Sequence, residues 1–352
     1  MGLIVDIKKK LSNFNLDLQF EVKSGVFSIL GASGSGKSMA LKCIAGIEKP
    51  DSGYIECNGN VFYDSKKHIN IKPQKRNVGF LFQNYALFPN MTIEENIKCG
   101  IRDKKSNIDI EYIMKKFFIH HIKNKRPREI SGGEQQRTAL ARIFVSSPNI
   151  LMLDEPLSAL DYHIKWELEK FILSTIKEFN GTTLFVSHNR DEVYRLSDNI
   201  GIINKGKFDI IDSKYNLFEN PKTYFSALLT GYKNFSKIKI LENKKIECID
   251  WNIILEIKNN NLENIENANY IGMRPYSFFD YDDEYNKKDN IYIKSKITNI
   301  TEDMFSYIIT LVPYNSENQI TWRLDKDKYK NDYELGKEIN LSFNTDDIIF
   351  LK

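Results

Sequence analysis

Residues 31–38 read Gly31-Ala32-Ser33-Gly34-Ser35-Gly36-Lys37-Ser38 and fit the spacing G-x-x-x-x-G-K-[ST]. No other stretch of the chain restricts its folding as strongly. Glycines in this pattern let the backbone wrap closely, so that successive N–H groups point at phosphate oxygens. The run before it, "VFSIL" (26–30), is apolar and β-branched, and the run after it, "KSMALKCIAGI", has helical spacing. Strand, loop and helix in that order place the loop at the carboxyl end of the strand and at the positive end of a helix dipole. Lys37 would then meet β- and γ-phosphates and Ser38 would hold Mg²⁺. A glycine-rich turn with no ligand is the plain alternative, and the flanking strand and helix weigh against it.

The same alternation continues downstream. "NVGFLFQ" (77–83), "NILMLDEP" (149–156), "TTLFVSH" (182–188) and "NIGIIN" (199–204) read as strands, and "YHIKWELEKFILSTIKEF" (162–179) reads as a helix. Strands alternating with helices predict a mostly parallel sheet covered on both faces, with sites at the carboxyl ends of its strands. Gly31, Asp154 and His188 fall at three such ends. Beside a phosphate loop, Asp154 would bind Mg²⁺ through water and Glu155 would orient or deprotonate an attacking water. Acidic residues also simply close turns after strands. Gln83 ends its strand with an amide that could sense Mg²⁺ or the water, or could only be solvated. His188 could donate a hydrogen bond to developing charge as a neutral imidazole, or serve structure alone.

A second stretch, "ISGGEQQR" (130–137), has a serine and two glycines before a helical run but no lysine. It reads as a helix N-terminus able to hold a phosphate, or as an N-cap for a helix over 134–145; one arrangement can do both.

At 352 residues the chain has room for two domains. Near residue 231 its character changes to short strand-like runs, "YIGMR", "IYIKSKI", "YIITLV", "QITWRL", "EINLSF" and "DIIFL", separated by Asn-, Asp- and Gly-rich turns. This predicts a small all-β barrel or sandwich, with a boundary at about 228–236, hence domains 1–230 and 231–352. A net charge of +3, from 50 basic and 47 acidic residues, argues against a dedicated nucleic-acid binder. Cys43, Cys57, Cys99 and Cys248 are scattered, with no C-x-x-C pair and no neighbouring histidine, so neither a disulfide frame nor a zinc site is expected, and reduced thiols suit the cytoplasm. The N-terminus "MGLIVDIKKKLSNF" carries charge where a signal peptide needs an apolar stretch, and no window approaches the roughly 18 apolar residues of a membrane helix. If the protein works at a membrane, other subunits do the spanning.

The loop 31–38, Gln83, "SGGEQQR" (131–137), "ILMLDEP" (150–156), "SALD" (158–161) and His188 stand in the order found in ATP-binding-cassette (ABC) ATPases, and over residues 1–230 the chain resembles that family. The resemblance implies an α/β P-loop NTPase domain with a helical subdomain at about 84–148. It implies ATP and Mg²⁺ as cofactors, with Ser38, Gln83 and Asp154 around the metal and Glu155, His188 and Gln83 as the catalytic set. It also implies a head-to-tail dimer in which Ser131, Gly132, Gly133 and Glu134 of one copy reach the ATP held by Gly31, Ser33, Gly34, Ser35, Gly36, Lys37 and Ser38 of the other. Asp161 would lie at that interface. "NYALFPNMTIEENI" (84–97) resembles the part that faces transmembrane subunits, and Phe88, Pro89 and Met91 would either dock there or pack within the helical subdomain. Two departures stand out. The family signature usually has Leu and Gln where this chain has Ile130 and Glu134, and Glu134 is expected to face away from the phosphate. Many members stack adenine on an aromatic well before the loop, whereas this chain offers none before Phe14, so Lys10 or Leu11 is expected to fill that place.

"YIGMRPYSFF" (270–279) resembles the opening of the small OB-like (TOBE/MOP-type) tail of importer ATPases for molybdate, sulfate, iron(III), polyamines and sugars. The stretches "KHINIKPQKRNVGFLFQNYALFPNMTIEENI" and "LLTGYKNFSKI" look most like molybdate and sulfate/molybdate import ATPases. The expectation is therefore an oxyanion importer's ATPase at the cytoplasmic face of the membrane, partnered by a second copy of itself, two permease subunits and, indirectly, an extracytoplasmic binding protein. Its tail would be a candidate regulatory anion site. Import of iron(III), polyamine or sugar is the alternative within the class. A soluble, non-transport cassette ATPase is disfavoured by the single cassette and the lack of a heptad run, and an inactive cassette by the intact Lys37, Asp154, Glu155 and His188.

Overall fold

A computed structural model describes residues 2–102, 108–158, 162–179, 181–242, 245–256, 265, 267–281 and 291–352. They divide into two compact units, 1–214 and 215–352.

The first unit runs β1 (Leu3–Lys10), β2 (Asn15–Val22), β3 (Val26–Leu30), α1 (Lys37–Ala45), β4 (Ser52–Cys57), β5 (Asn60–Asp64), β6 (Ile69–Asn70), β7 (Val78–Leu81), α2 (Ile93–Lys98), α3 (Ile110–Lys116), α4 (Gly132–Phe144), β8 (Ile150–Asp154), α5 (Tyr162–Glu178), β9 (Thr182–Ser187), α6 (Arg190–Leu196), β10 (Asn199–Asn204) and β11 (Lys207–Ser213). Its strands form one sheet in the order β6-β5-β4-β1-β2-β11-β10-β3-β9-β8-β7. The half from β10 to β7 is parallel, as the sequence predicts. Strands β3, β8 and β9 are buried along their whole length, which a strand covered on both faces requires. The other half, β1, β2, β4, β5 and β6, is an antiparallel wing that the sequence reading did not anticipate. Strand β1 alternates buried Leu3, Val5 and Ile7 with exposed Ile4, Asp6 and Lys8, the period-2 pattern of a strand with one wet face.

Register sets the site. Leu30 lies opposite Ser187, Asp154 opposite Val186 and Leu81 opposite Leu153, so the carboxyl ends of β3, β9, β8 and β7 finish at one edge. Helix α1 is tied down at its far end by fully buried Arg76, which donates to the carbonyls of Cys43 and Ile44, at 3.1 and 2.7 Å. Burial pushes the Arg76 guanidinium down to about 10. Its contact with the carbonyl end of the helix is the favourable sense for a cation.

Residues 93–144 carry the short helices of the predicted helical subdomain. Helix α2 opens on a Thr92/Glu95 capping box and α4 on a Ser131/Glu134 capping box. Buried Asn96 bonds both the N–H and the carbonyl of Phe88, folding that loop onto α2.

The second unit is β-rich and OB-like. Helix α7 (Lys214–Glu219) stands at the division, followed by α8 (Tyr224–Thr230). Among the described residues ten strands follow: β12 (Asn234–Ile240), β13 (Lys245–Cys248), β14 (Ile253–Glu256), β15 (Tyr270–Met273), β16 (Phe278–Asp280), β17 (Ile291–Glu302), β18 (Ser306–Pro313), β19 (Ile320–Asp325), β20 (Glu338–Phe343) and β21 (Ile349–Leu351). They make two antiparallel five-stranded sheets, β14-β13-β12-β15-β21 and β16-β20-β17-β18-β19. Their shared core is built around Trp251, Trp322, Phe278 and Phe343. The unit begins ahead of the change in composition at 231 because α8 belongs to it: Ala227 packs with Tyr232, Ile349 and Leu351, and the Tyr224 N–H bonds the Lys352 carbonyl at 3.2 Å.

Candidate functional site

The loop after β3 turns into α1 through Gly36, whose φ of 106° is the left-handed region. A Cβ there would sit 2.9 Å from Leu16 and 3.2 Å from the Phe14 ring, so both backbone and space require glycine. Helix α1 has no side-chain cap and no acidic residue in its first turn. Its leading N–H groups, which have no intrahelical acceptor, meet no internal anion. Ser35 Oγ is buried without a hydrogen-bond partner. Buried Lys37 bends its Nζ back onto the carbonyls of Gly31 and Ala32, at 3.0 and 2.9 Å. Burial pushes the Lys37 ammonium below its ordinary range, with nearby Glu155 only partly opposing this. An orphaned hydroxyl, an ammonium resting on carbonyls and an uncapped helix start are the features that a bound phosphate chain would satisfy.

At the end of β8, Asp154 Oδ1 accepts a 2.8 Å hydrogen bond from Ser38 Oγ. Burial raises the Asp154 carboxyl above its ordinary range, and the Ser38 bond offsets only part of this. A hydroxyl and a carboxylate in contact are hard oxygen donors that suit Mg²⁺. Glu155 follows with φ 46°, a left-handed conformation that costs a non-glycine residue of order 1 kcal/mol or more. Its N–H bonds the Val186 carbonyl at 2.9 Å, which fixes the turn. The carboxylate is thereby aimed inward, with Oε1 3.6 Å from Lys37 Nζ and Oε2 3.1 Å from His188 Nδ1. Gln83 is exposed just past β7, its Nε2 3.5 Å from Ser158 Oγ, and the Ser158 hydroxyl donates to the Glu155 carbonyl at 2.9 Å.

A cavity of about 530 Å³ opens over these groups, lined among others by Leu11, Phe14, Ser33, Lys37, Gln83 and Glu155. Leu11 and Phe14 stand at the wall where the sequence reading looked for an adenine contact, while Lys10 is not part of the lining. A cavity of about 580 Å³ at the amino ends of β3 and β9, against Gly25, Lys177, Arg195 and Asp198, holds none of the expected site residues.

Ser131, Gly132, Gly133 and Glu134 do not contribute to the lining of the Lys37 cavity. They form the start of α4, where Ser131 Oγ accepts from the Glu134 N–H at 3.3 Å. Glu134 does not face away, as the sequence reading expects. It folds back over the helix start, and its Oε2 accepts from both the N–H and the hydroxyl of Ser131 at 2.8 Å. Its Oε1 lies 3.1 Å from His121 Nε2. Partial burial works against the charged carboxyl, but the Ser131 bonds and His121 outweigh it and hold Glu134 below the usual carboxylate range. The signal was in the sequence, because S-x-x-E ahead of a helical run is a capping box. The Ser158 link between Gln83 and Glu155 carries no comparable pattern. Asp161 lies outside the described residues.

The sequence description of the ABC transporter family matches residues 14–158. The spermidine/putrescine import ATP-binding protein PotA of Clostridioides difficile is 32% identical over 354 aligned positions, covering 97% of this chain and 93% of that protein. Its namesake in Bacillus cereus is 34% identical over 261 positions, 71% of this chain and 78% of that one. The Fe(3+) ions import ATP-binding protein FbpC of Fusobacterium nucleatum is 32% identical over 280 positions, 74% of each. Among solved structures, a dimeric bacterial ABC transporter cassette superposes with TM-score 0.52 at 24% identity, over 61% of this chain and 99% of that one. A Clostridium perfringens cassette from the cbiONQ transporter complex gives 0.51 at 26% identity, over 61% and 90%. These relatives are named for polyamines and iron(III), so they lend no support to the molybdate or sulfate expectation.

Proposed function

The chain belongs to the ABC transporter family as an import ATPase that couples ATP hydrolysis to transport, and from that premise we propose that it works as a homodimer energising polyamine uptake through membrane permeases. The observation that carries the catalytic part is the meeting of Lys37, Glu155 and His188 beside the Ser38–Asp154 pair. Loop amides and Lys37 would cradle the phosphates. Ser38, Asp154 and Gln83 would hold Mg²⁺, which when bound neutralises charge on the β- and γ-phosphates. Glu155, braced by Lys37, His188 and its own backbone turn, is placed to orient the attacking water and accept its proton. His188 presents Nδ1 to Glu155; a neutral ring donating there keeps only a lone pair at Nε2, so it steers the carboxylate and can donate to phosphate only as imidazolium.

A second copy enters because Ser131–Glu134 take no part in the cavity that holds Lys37. Supplied by a partner copy, the Ser131 hydroxyl and the glycine N–H groups would close over the γ-phosphate. Asp161 is assigned to the same interface.

Permease docking is supported by the loop after Gln83. Phe88 is 47% exposed under Arg142, beside a largely apolar cavity of about 580 Å³ that also takes in Phe82, Ala86 and Cys99. Among the described residues no helix is long and apolar enough to cross a membrane. The assigned place is therefore the cytoplasmic face of the membrane, beneath two permease subunits fed by an extracytoplasmic binding protein.

The polyamine assignment rests on the relative aligned along both units of the chain. Iron(III) is the second reading, from the Fusobacterium relative. The test is ATP hydrolysis by the complex reconstituted with its permeases and binding protein. Spermidine or putrescine should stimulate it, and Glu155→Gln should lower the stimulated rate about a hundredfold or more. Stimulation by molybdate or iron(III) but not by polyamines would overturn the substrate; an undiminished rate in the variant would overturn the role of Glu155.

A further inference from the structure

The start of α4 is occupied by a carboxylate belonging to the chain itself. Ser131 and Gly132 are exposed, and so reachable by a partner copy. Yet both polar hydrogens of Ser131, the N–H and the hydroxyl, are donated to Glu134 Oε2. One oxygen of an anion receiving two donors at a helix N-terminus is the arrangement a phosphate oxygen would take there. We infer that Glu134 is an internal stand-in for the γ-phosphate, holding the Ser131 donors until the partner copy's ATP displaces it, and so setting the ATP concentration at which the dimer closes. The inference rests on the composite-site reading above and names what regulates that site.

The chemistry is a competition between two anions for one donor, the Ser131 hydroxyl. Hydrogen bonds to a carboxylate are charge-assisted and stronger than neutral ones, so the incoming phosphate must break that bond to take the hydroxyl. It must also approach a negative charge that cannot share the Ser131 hydrogens. His121 offers the displaced carboxylate a place, since Oε1 already lies against its ring. The capped helix start is stable without nucleotide, and closure is conditional on an anion that outcompetes Glu134.

The test uses the full-length chain carrying Glu155→Gln, so that bound ATP persists, with dimer formation followed by sedimentation against MgATP concentration. In that background Glu134→Gln keeps an oxygen acceptor for Ser131 but removes the charge. It should lower the half-maximal ATP concentration about tenfold, the scale of one charge-assisted hydrogen bond. Glu134→Ala should lower it in the same direction while also lowering the melting temperature through loss of the capping box, which separates occupancy of the donors from support of the helix. An unchanged or raised threshold in folded Glu134→Gln would overturn the inference, leaving Glu134 a cap only. Ser131→Arg is the control for the underlying reading. It should abolish ATP-driven dimers, and if it dimerises normally the composite site itself fails, whatever Glu134 does.

Discussion

Helices α1 and α4 both begin where a phosphate could bind, and they begin in opposite ways. Helix α1 starts on a left-handed glycine with no side-chain acceptor and no acid in its first turn. Around it a buried hydroxyl lacks a partner and a buried lysine leans on carbonyls. Helix α4 starts on a serine whose capping box closes on an acid, with both groups satisfied. The first start gives up local stability to stay open to a ligand, as functional sites often do. The second is complete in the isolated chain and becomes a ligand site only if something stronger takes its donors. The difference separates a primary nucleotide grip from a conditional one.

The largest effect expected from breaking this comparison is at Lys37. Lys37→Ala removes the cation that α4 lacks and should cut phosphate release about a thousandfold, the upper range for loss of one preorganised donor to developing charge. Activity within tenfold of the parent would mean that the lysine is not what distinguishes the two helix starts.

A smaller effect is expected at Asp154, where the open site strains the nucleotide-free fold. Burial raises this carboxyl, so the fold favours its protonated form. The contribution of this group to stability is therefore full below the ordinary carboxyl range and is lost as pH rises through the raised value. Asp154→Asn does not titrate. Without nucleotide it should melt roughly 2–4 °C above the parent at neutral pH, the shift that about 1 kcal/mol produces in a domain this size, with the gap closing in acid. Thermal melts across that pH range check the sign; a variant that melts lower at neutral pH would show that Asp154 is stabilised as a carboxylate.

How much of this was legible before the structure depends on where the information sits. The phosphate loop, the carboxylates after β8 and His188 were readable because the parallel half of the sheet is written as unbroken apolar runs, and their ends are the site. The antiparallel wing was missed because β1 and β2 alternate lysines and acids with apolar residues, and one wet face dilutes the signal. Four strands of the second unit, β12, β13, β14 and β16, were also unread; three of these are only three or four residues long. Inside the site, residue identity did not give backbone conformation: nothing in "LDEP" announces that Glu155 adopts a positive φ. Glu134 shows the reverse: the N-cap at Ser131 was read, but the reciprocal bond from Glu134 was not, although the S-x-x-E spacing carries it.

The finest version of the comparison uses two serines, an exposed one whose hydroxyl has partners and a buried one whose hydroxyl has none. Ser131 Oγ caps α4, accepting from the Glu134 N–H and donating to its carboxylate. Ser131→Ala should lower the nucleotide-free stability by about 1 kcal/mol, the usual cost of losing such a cap. Ser35 Oγ is buried with no partner, so its desolvation is uncompensated. Ser35→Ala should leave the nucleotide-free chain no less stable, and up to about 1 kcal/mol more so. Saturating MgATP should then reverse the order for Ser35, because the parent hydroxyl gains a phosphate oxygen that the alanine variant cannot use. Denaturant melts of the two variants, with and without MgATP, read all four values. If Ser35→Ala instead destabilises the nucleotide-free chain as much as Ser131→Ala does, the phosphate loop is already satisfied without ligand, and the two helix starts do not differ in kind.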